Sequence, residues 1–373
     1  MKPSVLLISN GFQPSYEKAF ANGLANQGVN VVLIASDRTL SADLDARIQV
    51  INLRGSQDPL RSPVAKARNI VRYVVALARH IRHSNYDVVH LTGLFVTGNH
   101  TAGLVEWAYY RLATKRFFMT VHNLLPHNRH TIYNRFLYRL IYKLPHVLVV
   151  HTAKMKAALS TEFGVDPSRI HLMEHGIDAL PEKLRTPIAS PMLRILSFGS
   201  LSPYKGTDLL LQALNHIDDT AIHLVIAGEC RDDIYRHHIE QLINSVNDLH
   251  SVVWDRGFVA EDRVGDYFEN TDVTILPYRH IDQSGVLFTS FRFGTPLVVT
   301  DVGSFRDYLP DYAGIVADEP TAEALAKAIR EFACKRTTFD RKRIREHAQH
   351  MTWPNVVRPL VQVYRSTVSG SAA

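Results

Sequence analysis

Cysteine is nearly absent from this chain: two in 373 residues, Cys230 and Cys334, far apart and in no CxxC pair. That excludes a disulfide scaffold and a thiolate zinc site, and it fits a reducing compartment. Long apolar runs are missing too. None approaches the ~18–20 residues that span a bilayer. At the N-terminus Val5–Ile8 gives way at once to Ser9-Asn10-Gly11, too short for the apolar core of a secretory signal. The expectation is a cytoplasmic chain without a membrane span. Glycine is scarce where a dinucleotide cradle needs it. The turn Asn10-Gly11-Phe12-Gln13-Pro14 holds one glycine where GxGxxG has three, which argues against a nicotinamide oxidoreductase. Gly11 permits close approach of a ligand, or makes a plain tight turn.

What is present is ordinary for a folded protein: 46% hydrophobic and 21% charged residues, enough length for about two domains with separate cores. The net charge of +6 is unevenly spread. Residues 1–180 hold 21 Lys and Arg against 11 Asp and Glu, and the remainder 21 against 25. A basic front half and a mildly acidic back half suggest that only the front half meets a polyanion or an anionic membrane surface; the bland alternative is a solvated basic face. No nucleic-acid-binding module is recognisable, so nucleic acid is not expected as a partner.

Short apolar runs alternate with helix-patterned stretches throughout. Strands are expected at Val5–Ser9, Val29–Ala35, Ile48–Leu53, Val88–Leu91, Phe117–Val121, Val147–Val150 and Ile170–Met173. A second set runs through Arg194–Phe198, His223–Ala227, Ser251–Trp254, Val273–Leu276 and Pro296–Thr300. Helices fill the gaps, among them Tyr16–Gln27, Val64–Arg82, Thr207–Ile217, Asp232–Ser245, Glu261–Glu269, Gly285–Phe293 and Thr321–Phe332. Such alternation predicts parallel α/β sheets with right-handed crossovers. Three prolines between Asp178 and Pro191 mark a linker. The fold class is therefore α/β, two Rossmann-like domains facing across a cleft, with ligands at the carboxyl ends of the strands. The boundaries fall at 1–180 and 181–352. Residues 353–373 form a C-terminal helix and tail, the helix packing back on the first domain.

The second domain carries the sharper signals. The strand ending at Phe198 runs into Gly199-Ser200-Leu201-Ser202-Pro203-Tyr204-Lys205-Gly206 and a helix from Thr207. A small-residue loop, a lysine and a helix N-terminus converge as an anion site, although a loop lysine is often merely exposed. Farther on, Ser284 and Gly285 stand at the cap and first turn of an apolar helix, where free N–H groups and the Ser284 hydroxyl point at an anion; the plain alternative is an ordinary helix cap. Two such starts on one sheet favour a diphosphate. His127-x2-His130 and His237-His238 lack a third ligand at suitable spacing, so no metal site is assigned.

As a set, these motifs resemble the GT-B glycosyltransferases of family four. They are Phe198-Gly199 through Lys205-Gly206, Ala227-Gly228-Glu229, Gln283-Ser284-Gly285-Val286 and Phe293-Gly294-Thr295-Pro296 through Gly303. In the first domain Thr120–His127, Val150-His151-Thr152 and Glu174–Asp178 are similar to segments of those enzymes. The resemblance implies transfer of a sugar from a nucleotide-diphosphate donor, bound by the second domain, to an acceptor held by the first, with retention at the anomeric carbon and no metal or other cofactor. It implies diphosphate binding by Lys205, Ser284, Gly285 and Val286, and Gly11, Gly199 and Ser200 are counted with them among the donor-binding residues. Glu229 falls at the base or ribose, and His122 and Asp282 at the donor sugar. The chain also departs from the pattern. The family's two glutamates, eight apart, correspond to Ile281 and Thr289, its arginine to Ser200, and Asp282 is the carboxylate nearest the first glutamate position.

Two basic stretches bear on the acceptor. In His127–Leu144, Ile132, Phe136, Leu137, Leu140, Ile141 and Leu144 are expected on one helical face, with Arg129, Arg135, Arg139 and Lys143 elsewhere. Arg61–Arg82 carries Lys66, Arg68, Arg72 and Arg79. Such helices either adsorb to an anionic membrane or pack a core under a solvated basic back. Adsorption fits a lipid-linked saccharide acceptor at the inner face of the cell membrane, in polysaccharide assembly. Two rival readings are a non-catalytic GT-B scaffold subunit and a nucleotide-sugar 2-epimerase.

Overall fold

The computed structural model describes residues 2–9, 13–58, 60–92, 100–125, 131–181, 190–281 and 284–369. They form two compact units: residues up to Gly176 together with those from Met351 onward, and Ile177–His350. These divisions fall a few residues before the boundaries read at 180 and 352. In the first unit the strands are β1 (Ser4–Ile8), β2 (Asn30–Ala35), β3 (Gln49–Asn52), β4 (Val88–Leu91), β5 (Phe117–Val121), β6 (Val147–Val150) and β7 (Ile170–Leu172). The helices between them are α1 (Pro14–Asn26), α2 (Pro63–His83), α3 (His100–Ala113), α4 (Ile132–Ile141) and α5 (Ala153–Thr161). The second unit holds β8 (Leu193–Phe198), α6 (Thr207–Leu214), β9 (Ile222–Ala227), α7 (Asp233–Asn244), β10 (Ser251–Asp255), α8 (Val264–Glu269), β11 (Val273–Leu276), α9 (Gly285–Arg292), β12 (Leu297–Thr300), α10 (Phe305–Tyr308), β13 (Gly314–Ala317), α11 (Ala322–Lys335) and α12 (Arg341–His350). The chain ends in α13 (Trp353–Val356) and α14 (Arg358–Ser369) in the first unit.

Both sheets are wholly parallel and wound outward from their first strand. The orders are β3-β2-β1-β4-β5-β6-β7 and β10-β9-β8-β11-β12-β13. Helices cover both faces, so central strands are continuous apolar runs rather than alternating ones. Val5–Ile8 and Val273–Leu276 are buried along their length. Five helices start on a side chain that accepts the N–H of the third residue: Ser62, Thr131, Thr152, Asp232 and Thr321. α6 and α9 do not, and both belong to the site described below.

The expected strands stand within one residue of their observed limits. β13, α10 and α12 were not anticipated, and α3 and α5 were expected only as unnamed helices in the gaps between strands. Thr207–Ile217 ends as helix at Leu214, and Glu261–Glu269 opens with a 3-10 turn. The expected single apolar face of the acceptor stretch is corrected. α4 buries Asn134, Leu137, Tyr138 and Ile141, while Ile132, Phe136 and Leu140 face outward. Its expected first residues, 127–130, lie outside the described ones.

The terminal helix packs on the first unit. It is two helices broken at Val357, each with a proline (Pro354, Pro359) near its start. The Trp353 ring packs against Tyr16 (centroids 5.0 Å apart) and His175 (5.3 Å). A methyl at Gly176 would lie 2.2 Å from the Trp353 ring. Gln27 Nε2 donates to the Pro354 carbonyl at 2.8 Å, and the Tyr364 hydroxyl is hydrogen-bonded to His90 Nδ1 in the core. Among the described residues, no helix is long and apolar enough to cross a membrane.

Three outcomes follow for the stability of the first unit. Trp353→Ala should cost about 3–5 kcal/mol, the usual penalty for emptying a large aromatic site, and Gly176→Ala should also lower the thermal midpoint. Burial holds His90 at about 3, and His122, His146 and His175 at about 4. The unfolded chain takes up those protons near pH 6.5 and the folded one does not. Melting temperature should therefore fall steadily from pH 6.5 toward 4, and a plateau over that window would contradict the buried neutral rings.

Candidate functional site

In the second unit the site begins where β8 and β9 end side by side. Gly228 follows β9 with φ of +154°, and a methyl there would sit 2.1 Å from the Gly199 carbonyl oxygen, so the backbones can meet only at glycine. From Gly199 at the end of β8 the chain runs into a 3-10 turn, Pro203–Lys205, and enters α6 through Gly206 (φ +68°), whose position would bring a methyl within 1.9 Å of the Pro277 carbonyl oxygen.

That turn carries Lys205. Its Nζ donates to Ser200 Oγ at 3.4 Å and lies 6.0 Å from the Tyr278 ring centroid. A methyl added at Gly199 would stand 3.3 Å from Lys205 Nζ and 3.6 Å from Val286 Cγ2. Gly199, Ser200, Lys205 and Val286 thus share one spot. Among the described residues the ammonium forms no ion pair, and burial pushes its pKa down to about 8. Ser284, buried, caps α9 with its backbone only, because its hydroxyl donates to the Tyr278 hydroxyl at 3.3 Å. Gly285 is the first residue of α9. Neither α6 nor α9 has a side-chain N-cap; in α6 the Asp208 N–H donates to the Tyr235 hydroxyl at 3.4 Å, and the other first-turn N–H groups with Lys205 give a cluster of donors and positive potential suited to an anion.

Beside this cluster lies a cavity of about 560 Å³ whose walls include Gly199, Ser200, Gly228, Glu229, Phe258 and Val259. The Glu229 carboxylate pairs with Arg231 at 2.9 Å. Phe258 is 89% exposed, an aromatic face open to a planar ligand. A volume of this size takes a ligand of nucleotide dimensions. Thr289, in the place of the family's second glutamate, turns its hydroxyl back onto the Gly285 carbonyl at 3.0 Å. Asp282 and Gly11 lie outside the described residues.

In the first unit His122 stands just after β5. Its Nε2 donates to the Thr92 carbonyl at 3.0 Å, which leaves the lone pair on Nδ1. Burial lowers its pKa to about 4, the Thr92 carbonyl opposes that, and His175 adds to it. Tyr16 (4.7 Å) and His151 (5.2 Å) pack on the ring. His122, His151 and His175 follow the ends of β5, β6 and β7, so this edge of the sheet presents neutral imidazoles. Among the described residues no three His, Cys, Asp or Glu side chains gather as ligands for a metal ion. Sequence reasoning missed Tyr278, Phe258 and Arg279. None of the three stands in a motif that sequence alone ties to the loop around Lys205.

The model of the family described as Glycosyltransferase Family 4 matches residues 16–179, and that described as Glycosyl transferases group 1 matches 193–334. A D-inositol 3-phosphate glycosyltransferase of Xylanimonas cellulosilytica is 28% identical over 188 residues, 46% of this chain and 44% of that one. The chain spans about half the length of the curated relatives it matches. Sucrose-phosphate synthase from Thermosynechococcus elongatus has the same fold, with a TM-score of 0.78, 18% identity, and 99% of this chain and 100% of that one covered. So does Anabaena HepE in complex with UDP-glucose, at 0.70 and 14%, covering 98% and 99%.

An anion at Lys205 requires the ammonium to be charged. Affinity for pyrophosphate, followed by calorimetry, should hold to about pH 7.5 and then weaken by up to tenfold per pH unit above 8. Lys205→Arg, which stays charged, supplies the control for the ligand's own ionisation and should remove that limb.

Proposed function

The chain belongs to the group 1, family 4 glycosyltransferases of GT-B fold, and from that premise we propose that it transfers a hexose from a nucleotide-diphosphate sugar to a saccharide or lipid-linked acceptor. The observation that carries this is the meeting of Lys205, Ser200 and Val286 with the starts of α6 and α9, beside the cavity that holds Glu229. Breaking the glycosidic bond leaves charge on the diphosphate. An ammonium and fixed N–H dipoles aimed there stabilise it without reorganising, an effect typically worth 10²–10³ in rate for a single donor. These groups supply the positive charge from the chain itself, so the reaction we propose is metal-independent. Retention at the anomeric carbon follows the family. Asp282 and His122 are assigned to the donor sugar, the latter as a neutral hydrogen-bonding group. UDP is the first nucleotide to test, since HepE is described with UDP and UDP-glucose.

The lipid-linked acceptor is supported by the outer faces of α2 and α4. α2 exposes Val64, Val71, Val74 and Val75 among Lys66, Arg68, Arg72 and Arg79. α4 exposes Ile132, Tyr133, Phe136 and Leu140 beside Arg139 and beside Arg135, which pairs with Glu162 of the neighbouring chain segment at 2.7 Å. Neither helix has an acidic residue. Apolar side chains set among cations suit the interface of an anionic bilayer, and we place the protein at the inner face of the cell membrane in polysaccharide assembly.

A melting panel with UDP, GDP, ADP, CDP and dTDP names the donor class. A ligand at about 100 times its Kd adds about 2.7 kcal/mol, a shift of several degrees. Lys205→Ala with Ser284→Ala should abolish that shift and lower transfer at least 100-fold. Transfer at the wild-type rate in this double variant would reject the assignment, and no shift with any nucleotide would favour a non-catalytic scaffold. In flotation with phosphatidylglycerol vesicles, Val71→Asp with Val75→Asp should reduce binding, and equal binding would reject the membrane face.

A further inference from the structure

Three residues beyond β11, Arg279 reaches back to the turn that carries Lys205. Its guanidinium forms a fork with Asp208, Nη1 to Oδ1 at 2.9 Å and Nη2 to Oδ2 at 2.5 Å. Nη1 also donates to the Pro203 carbonyl at 2.5 Å, and the Arg279 backbone N–H donates to the Tyr204 carbonyl at 2.7 Å. Asp208 is the second residue of α6, 8% exposed, and the Tyr235 hydroxyl of α7 donates to its Oδ1 at 2.8 Å. The Tyr204 ring lies 5.5 Å from that of His280, and Gly206 lets the chain close onto Pro277. The turn is thereby tied to residues 277–280, the stretch of chain that runs on toward Ser284 and α9.

We propose that Arg279, with Asp208, is a positioning residue of the donor-phosphate site: it fixes the Pro203–Gly206 turn, and with it Lys205, against the segment leading into α9. This rests on the reading above that Lys205 meets the donor diphosphate. Arg279 is unsuited to bind the anion itself, because its charge is matched by Asp208. Burial alone would raise the Asp208 carboxyl, but hydrogen bonds from Arg279 and Tyr235 outweigh it and hold the group below its ordinary value. The same carboxylate raises Arg279. The pair is thus a neutral brace, and Lys205 remains the cation offered to a ligand. A planar fork does what a lysine cannot, since only guanidinium engages both carboxylate oxygens and a carbonyl in one plane.

The position of Lys205 can be read without any ligand. Among the described residues the groups facing it are Ser200, Val286 and the Tyr278 ring; the turn itself meets His280 through Tyr204, and Arg279 through Pro203, with Asp208 and Tyr235 behind that guanidinium. Released from this setting, the ammonium is hydrated and its titration returns toward about 10.4.

The experiment uses the full chain with 13C-labelled lysine, the Lys205 signal assigned by its loss in Lys205→Arg, and UDP calorimetry alongside. In Arg279→Lys, with folding checked by circular dichroism, Lys205 should titrate at least one pH unit higher than in the wild type and UDP affinity should drop at least tenfold. Asp208→Asn opens the fork from the other side and should move both in the same directions. Free guanidinium should restore part of the affinity of Arg279→Ala and none of that of Lys205→Ala. An unmoved Lys205 titration in a folded Arg279→Lys chain overturns the proposal. If the titration moves but the wild type itself binds no nucleoside diphosphate, the donor-site reading fails and the proposal falls with that premise, while the brace is shown to exist.

Discussion

A parallel strand cannot turn back on itself; each must return through a crossover that covers a face of the sheet. Almost everything else here depends on that constraint. It buries the central strands on both faces, which forces continuous apolar sequence. It also sends every strand's carboxyl end into a loop on the same edge. Because both sheets wind outward from their first strand, the crossovers on either side of β8 leave in opposite directions, opening a gap between the β8 and β11 loops. Lys205 follows the first of those strands and Ser284 the second. Their nearness, across 78 intervening residues of sequence, is a property of the winding.

The electrostatics of this edge are sorted rather than merely positive. Arg279 and Asp208 neutralise each other inside the brace. Glu229 is matched by Arg231, and Arg194 by Asp272 at 2.8 Å in the sheet below. Lys205 has no such match among the described residues. A half-buried ammonium without a counter-charge costs folding free energy, and its lowered pKa reports that cost. A bound anion would relieve it, so the unfavourable term in the free protein becomes a differential one favouring the occupied site.

How legible this was depends on how far apart the partners lie in the chain. The central strands could be read to within a residue because a strand buried on both faces is written as an unbroken apolar run. β13 (Gly314–Ala317) escaped because it is a short edge strand, half buried at Ile315 and Val316 and opening with glycine. α4 was misread for a different reason. Helical periodicity locates apolar residues on a cylinder but cannot tell a core face from an outward one. Buried Asn134 and Tyr138 extend the inner face, while Ile132, Phe136 and Leu140 form an outer one. At the site, Gly199 through Gly206 was readable because strand, turn, lysine and helix start are contiguous. The Arg279–Asp208 fork joins residues 71 apart, and nothing local marks either as a partner.

The two units handle charge in opposite ways, and that separates their responses to pH. Among the described residues, the second leaves Lys205 uncompensated at its strand ends. The first lines its strand ends with His122, His151 and His175, all held neutral chiefly by burial, with Tyr16 and Trp353 packed among them. Protonating any of these rings means charging a group enclosed by aromatics and backbone carbonyls, which the fold resists until well below pH 6.5. A histidine so placed cannot titrate as a general base near neutrality; it serves as a fixed dipole and hydrogen-bonding group. An alkaline limb in the protein's behaviour then belongs to Lys205 and to ligand binding. An acid limb belongs to the first unit's core, where the terminal helix is anchored through Tyr364 to His90 and through Trp353 to His175. Acidification would loosen that anchor before it touched the anion site, so loss of function at low pH and at high pH would have different structural origins.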